Sequence, residues 1–223
     1  MHSTALPPAP ARRTRGAVPV ILAILAILAL TTAAFVARRP LLMAVPMCAS
    51  GQWDLCFGTF NGVALISLAA SPLAALALWW LAHRRSAADA ASAWRLSLAE
   101  VGIVYGTLPW VWITMLPGQG AGLVAGRVSL VPLQDLVTMD TGQVIGNLLV
   151  LAALGFFAPL RFAGLASVPR ILALGAACSV LIEVAQYVLR LDRVSSVDDV
   201  LLNATGAGLA ALVARPWWRG PAT

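Results

Sequence analysis

Apolar residues in this chain fall into long blocks separated by short stretches that carry most of its arginines. A helix needs roughly 17–25 apolar residues to cross a bilayer. Blocks of about that length lie at Val18–Val36, Gly58–Ala82, Leu96–Leu116, Gly142–Leu160, Val168–Leu189 and Val197–Ala214. The pattern predicts an all-α, polytopic membrane helix bundle with about six transmembrane helices.

The stretches between blocks set the organisation. Residues 1–17, rich in Pro, Ala and Arg, read as a disordered cytoplasmic arm. The first block follows a basic segment, as a signal peptide would. It exceeds the usual apolar region of about 7–15 residues, and Arg38 and Arg39 follow directly. It therefore reads as a membrane anchor. Ala37–Phe57 reads as a connecting loop and His83–Arg95 as a basic connector. Pro117–Thr141 is Gly-rich at first and reads as flexible or re-entrant chain; no Lys-Ser or Lys-Thr follows to make a nucleotide loop. Gly102 and Gly106 sit one helical turn apart and offer a neighbouring helix close approach. Residues 18–95 form a two-helix N-terminal addition, 96–214 a four-helix membrane domain, and 215–223 a tail with Trp217, Trp218 and Arg219.

Composition supports this class. The chain is 60% hydrophobic and 11% charged, with a mean hydropathy of +0.86. Soluble domains carry about 25% charged residues, so a water-soluble fold is excluded. The net charge of +6 comes from arginine alone. With no basic stripe or binding motif, nucleic acid is not a partner; the lipid bilayer is. Arg12, Arg13, Arg15, Arg84, Arg85, Arg95, Arg161, Arg170, Arg215 and Arg219 share one side, against Arg38, Arg39, Arg127, Arg190 and Arg193 on the other. The positive-inside rule then puts both termini in the cytoplasm. Cys48 and Cys56 fall outside, where a disulfide can persist, and whether they pair stays open.

The same topology brings polar residues of three blocks to the outer face. Gln143 and Asn147, Glu183 and Gln186, and Asp199 and Asn203 are each three or four residues apart, so each pair shares a helix face. Asn147, Glu183, Gln186, Arg193, Asp198, Asp199 and Asn203 are the ligand-binding candidates. Carboxylates at membrane depth persist when they face a bundle interior or a wet pocket and have partners. A purely structural alternative pairs Glu183 with an arginine and lets the amides bond across helices. Ser196-Val-Asp-Asp199 reads as a capping box. Glu100, near the inner face, reads as paired with Arg95 or snorkelling.

Three segments together resemble the VanZ-like family of membrane proteins. They are Gly146-Asn147-Leu-Leu-Val-Leu-Ala-Ala-Leu-Gly155-Phe-Phe-Ala-Pro159, Ile182-Glu183-Val-Ala-Gln186, and Asp198-Asp199-Val-Leu-Leu-Asn203-Ala-Thr-Gly206. The likeness covers residues 96–214. Val131-Pro132 stands where the family has Asn-Leu-Ile-Pro-Phe, with Ser129 in place of the Asn and Leu133 in place of the Phe. The resemblance implies a multi-pass protein of the bacterial cell membrane, associated with resistance to the glycopeptide teicoplanin. It assigns no reaction.

Three function classes follow. One is a non-enzymatic protein whose outward cluster binds an envelope lipid headgroup, a lipid-linked cell-wall precursor or a glycopeptide. Another is an intramembrane enzyme acting on a lipid-linked substrate. No cofactor motif is present; oxygen-only ligands suit hard cations, so any metal would be Mg²⁺ or Ca²⁺ on Glu183, Asp198 and Asp199. With His2 and His83 outside the blocks, no imidazole base is available within a span. A small transporter is the third class, though inverted repeats are not visible.

Overall fold

The computed structural model describes residues 17–85 and 89–218. Of the N-terminal arm expected over residues 1–17, residues 1–16 lie outside the described residues. The chain runs α1 (Ala17–Ala49), α2 (Trp53–Phe57), α3 (Phe60–Arg85), α4 (Ala90–Thr114), β1 (Arg127–Ser129), α5 (Thr141–Val150), α6 (Ala152–Arg161), α7 (Val168–Val188), β2 (Val194–Ser196) and α8 (Val197–Ala214). It is an all-α bundle, with one two-stranded element at one end.

Among the described residues, five stretches are long and apolar enough to cross a membrane: Phe60–Arg85, Ala90–Thr114, Thr141–Arg161, Val168–Val188 and Val197–Trp217. The block at Val18–Val36 lies within α1. Leu73, Leu181 and Val188 are each about two-thirds exposed, as lipid-facing residues are once water is removed from the problem.

Several expectations change. Ala37–Phe57 is mostly helical: α1 continues past Arg38 and Arg39 to Ala49, and α2 follows. The run Leu41–Val45 favours continuation, and Cys48 and Cys56 form a disulfide that ties α1 to α2. The block Gly142–Leu160 is one apolar stretch of membrane-crossing length, as expected, but a break divides it into α5 and α6. Leu151 departs from helical geometry (φ −112°, ψ 10°) between α5 and α6. Glu100 does not pair with Arg95. Its two oxygens accept from Arg85 Nη2 at 2.7 Å and Arg161 Nε at 2.5 Å, because the ends of α3 and α6 converge on that level of α4.

The bundle is assembled around α8, which packs on α5, α6 and α7. Its buried side consists largely of small residues: Ala204, Gly206, Ala207, Gly208, Ala211 and Ala214. Lipid tails are as apolar as side chains, so helices in a bilayer gain most by close backbone approach across small residues. A Cβ on Gly155 would collide with the Ala207 carbonyl, and one on Gly206 with the Leu148 carbonyl. Gly102 and Gly106 act as expected, admitting Phe157 and Ala153 of α6 against α4.

The stretch 117–140 is folded rather than loose. β1 pairs in parallel with β2, with Arg127 opposite Val194 and Ser129 opposite Ser196. Its glycines lie against the turn that follows α7: Gly118 N–H donates to Leu191 O, Gly122 N–H to Arg190 O, and Gly120 N–H to the Asp192 carboxylate, each at 2.9 Å. Asp198 holds the rest. Its carboxylate accepts from the backbone N–H groups of Leu133 at 2.5 Å, Asp135 at 2.9 Å and Leu136 at 3.1 Å. Leu133 has φ of 66°, a left-handed conformation costly for a leucine, and the bond to Asp198 helps fix it.

Two outcomes follow from this packing. Gly206→Val should cost about 3 kcal/mol and lower the melting temperature of the detergent-solubilised protein by about 6–12 °C. Asp198→Ala removes the acceptor of three loop N–H groups. Limited proteolysis should then cut residues 130–137 about tenfold faster, while Asp198→Asn, which keeps one acceptor oxygen, should fall between.

Candidate functional site

The N-terminus of α8 reaches the end of the bundle where β1 and β2 pair, so the residues that start α8 meet the ends of α4, α5 and α7. Ser196 is the N-cap, its hydroxyl accepting from Asp198 N–H at 3.1 Å. The cap is not the box that the Ser-x-x-Asp spacing predicts. In a capping box the acid three residues on reaches back to the N-cap N–H. Here Glu183 of α7 does so, accepting from Ser196 N–H at 3.0 Å. Ser195 Oγ closes the same junction by donating to the Glu183 carbonyl at 2.9 Å.

That exchange releases Asp199. Its carboxylate turns toward α5 and accepts from Asn147 Nδ2. One turn deeper, Asn203 Nδ2 donates to Ser179 Oγ at 2.7 Å, while its own buried Oδ1 has no hydrogen-bond partner. Gln186 Nε2 donates to the Thr114 carbonyl at 2.9 Å, linking α7 to the end of α4.

These side chains surround one cavity of about 380 Å³. Of the seven sequence candidates, Asn147, Glu183, Gln186, Arg193, Asp199 and Asn203 line it. Asp198 does not. It is 1% exposed and gives both oxygens to the loop. Among the described residues no arginine forms an ion pair with Glu183, and Arg193 donates from Nε to the Leu116 carbonyl at 3.2 Å. Among the described residues, no group of three or more His, Cys, Asp and Glu side chains is placed to hold a metal ion.

Pattern reading missed part of the wall. Asp135, Arg127, Asp192 and Thr138 also line the cavity. Asp135 accepts from Ser196 Oγ at 2.5 Å. Hydrogen bonds from Ser196 and then Ser129 hold its carboxyl below the usual carboxylate range, so it stays ionised to lower pH than a free aspartate. Asp192 accepts from Arg127 Nη2 at 3.3 Å and from Gly120 N–H, and so is neutralised locally. The signal for Asp135 was its place three residues beyond Val131-Pro132. A lone acid in a glycine-bearing loop has no periodicity to mark it.

Among the described residues, the cavity therefore offers three carboxylates without an ion pair (Asp135, Glu183 and Asp199), one similarly unpaired guanidinium (Arg193), and amides in fixed orientation. Such a site can hold a polar group bearing both hydrogen-bond donors and charge.

No curated protein and no solved structure matches the chain. A family model does: its description is VanZ/LLP1, and it matches residues 102–219, more than half of the sequence. That interval takes in most of α4 and all of α5 to α8, the helices that build the cavity. With five apolar helical stretches of membrane-crossing length among the described residues beside that match, the chain is a multi-pass membrane protein belonging to the VanZ/LLP1 family.

Proposed function

We propose that this protein binds the polar headgroup of an envelope lipid in the α8 cavity, at the outer face of the bacterial cell membrane. The observation that carries the reading is the convergence of Asn147, Glu183 and Asp199 on one cavity from three different helices, α5, α7 and α8. A volume of about 380 Å³ lies at the lower end of small-ligand sites, about 300–1,000 Å³. It suits a headgroup and is small for a whole glycopeptide.

Two features support the outward orientation. The arginine distribution assigns this end to the outside. Cys48–Cys56 belongs to the same end, since Phe57 of α2 stacks on Trp112 near the end of α4, and disulfides persist in oxidising compartments. Holding a lipid there would change the surface on which glycopeptides act, which is how the protein would contribute to antibiotic resistance.

The test uses purified protein with a bacterial phospholipid mixture, a lipid-linked wall precursor and teicoplanin, each with Mg²⁺ and with chelator. Retention of a lipid is expected, without product formation. Glu183→Gln and Asp199→Asn should each weaken that binding about tenfold, or 1.4 kcal/mol, at unchanged membrane expression. Parent-like binding by both variants would sink the reading. Chelator-sensitive turnover of the precursor would replace it with an enzyme, and teicoplanin binding alone with a glycopeptide receptor.

A further inference from the structure

The polar cavity adjoins a second space of about 500 Å³. This space shares Thr114, Gln143, Asn147, Arg193 and Asp199 with the first. Its remaining wall is mostly apolar, with Phe60, Trp110 and Ile113 on one side and Ile145 and Leu149 on the other, and it carries one further acid, Asp140, which accepts from Gln143 N–H. Trp110 and Ile113 belong to α4, Ile145 and Leu149 to α5, and both helices lie within membrane-crossing stretches. Ile145 is 51% and Leu149 39% exposed. The seam between α4 and α5 thus opens sideways toward hydrocarbon and leads into the polar cavity without crossing the β1–β2 cover.

The charges are ordered along that path. Of these two spaces Glu183 and Asp135 line the polar one alone, whereas Arg193 and Asp199 stand together on the wall common to both. Glu183 uses Oε2 on Ser196 N–H, and Arg193 uses Nε on the Leu116 carbonyl. Glu183 Oε1 and the Arg193 terminal nitrogens face no hydrogen-bond partner among the described residues. Asp192 is neutralised by Arg127. From the polar end outward, the site reads two carboxylates, then a guanidinium beside Asp199, whose carboxylate is held by Asn147, then a mostly apolar seam.

That order is the mirror of one molecular class. We propose that the two spaces together hold a single zwitterionic, amine-bearing phospholipid, with its ammonium at Glu183 and Asp135, its phosphate against Arg193, and one acyl chain between α4 and α5. The inference rests on the headgroup reading and adds the lipid class and the route by which it enters. A lipid of net negative charge would set its head among three carboxylates with one unpaired arginine. A purely cationic amphiphile would meet Arg193 at the neck with nothing to offer it. Only a head carrying both signs satisfies both ends, since a charge left unpaired away from water is costly.

The test uses the full-length protein in detergent, titrated separately with phosphatidylethanolamine, phosphatidylcholine, phosphatidylglycerol and water-soluble phosphoethanolamine. Phosphatidylethanolamine should bind about tenfold tighter than either of the other lipids, since phosphatidylcholine has no ammonium N–H and phosphatidylglycerol no cation. Gly146 lines the apolar space, and a Cβ there meets no atom within 4 Å. Gly146→Trp fills the seam and should weaken phosphatidylethanolamine binding about tenfold while leaving phosphoethanolamine binding unchanged. In the unsubstituted protein, phosphatidylethanolamine with a photoreactive acyl chain should label α5 between Ile145 and Leu149. Labelling that misses α5, a preference for phosphatidylglycerol, or a Gly146→Trp variant that binds like the parent overturns this inference and leaves the headgroup reading standing. Loss of every polar ligand, phosphoethanolamine included, overturns both.

Discussion

The structure depends on how closely three helices approach one face of α8. In a bilayer no hydrophobic drive pushes helices together, so contact distance decides how much dispersion energy is gained. Gly155 against Ala207, and Gly206 against Leu148, are backbone contacts with no room for a side chain between. They draw α6 and α5 onto α8, while Gly175 faces Ala204 and Ala207 on the α7 side. With α8 so enclosed, its first turn can only emerge among the ends of its neighbours. The polar cavity follows from that geometry.

Enclosure imposes a second demand. Polar groups at the start of α8 lie where water is scarce, so each must find a partner or remain for a ligand. The chain divides its acids by task. Asp198 takes three loop N–H groups and fixes a segment that includes a left-handed leucine. Glu183 supplies the acceptor that the helix start needs, from a different helix. Asp199 is thereby freed to meet Asn147 in the cavity. Two adjacent aspartates, equivalent by composition, therefore have unlike roles because successive positions on a helix point about 100° apart.

The two ends of the bundle differ in the same currency. At one end Glu100 is bonded by Arg85 and Arg161, and Ser97 accepts from Arg85 as well, so the acid there is bracketed by cations. At the other, among the described residues, Asp135, Glu183 and Asp199 share one unpaired arginine with an open cavity. A neutralised acid secures the ends of α3 and α6 to α4. An incompletely neutralised group of acids is suited to an incoming charge.

Much of this was fixed by the order of residues alone. Apolar blocks of bilayer length leave helices as the only way to satisfy the backbone in lipid, so the bundle, the polar stripes on three helices and the Gly102–Gly106 contact could be read directly. The break at Leu151, the helical course of Ala37–Ala49 and the partners of Glu100 could not, because each depends on neighbours distant in sequence. Likewise, Ser196-Val-Asp-Asp199 carries the local signature of a capping box, yet Glu183 replaces Asp199 in it. That exchange required α7 to end beside α8 at one particular depth, and the glycine loop to close over both. Periodicity reports which face a residue occupies; only packing decides whether that face meets a backbone amide, an arginine or an open space.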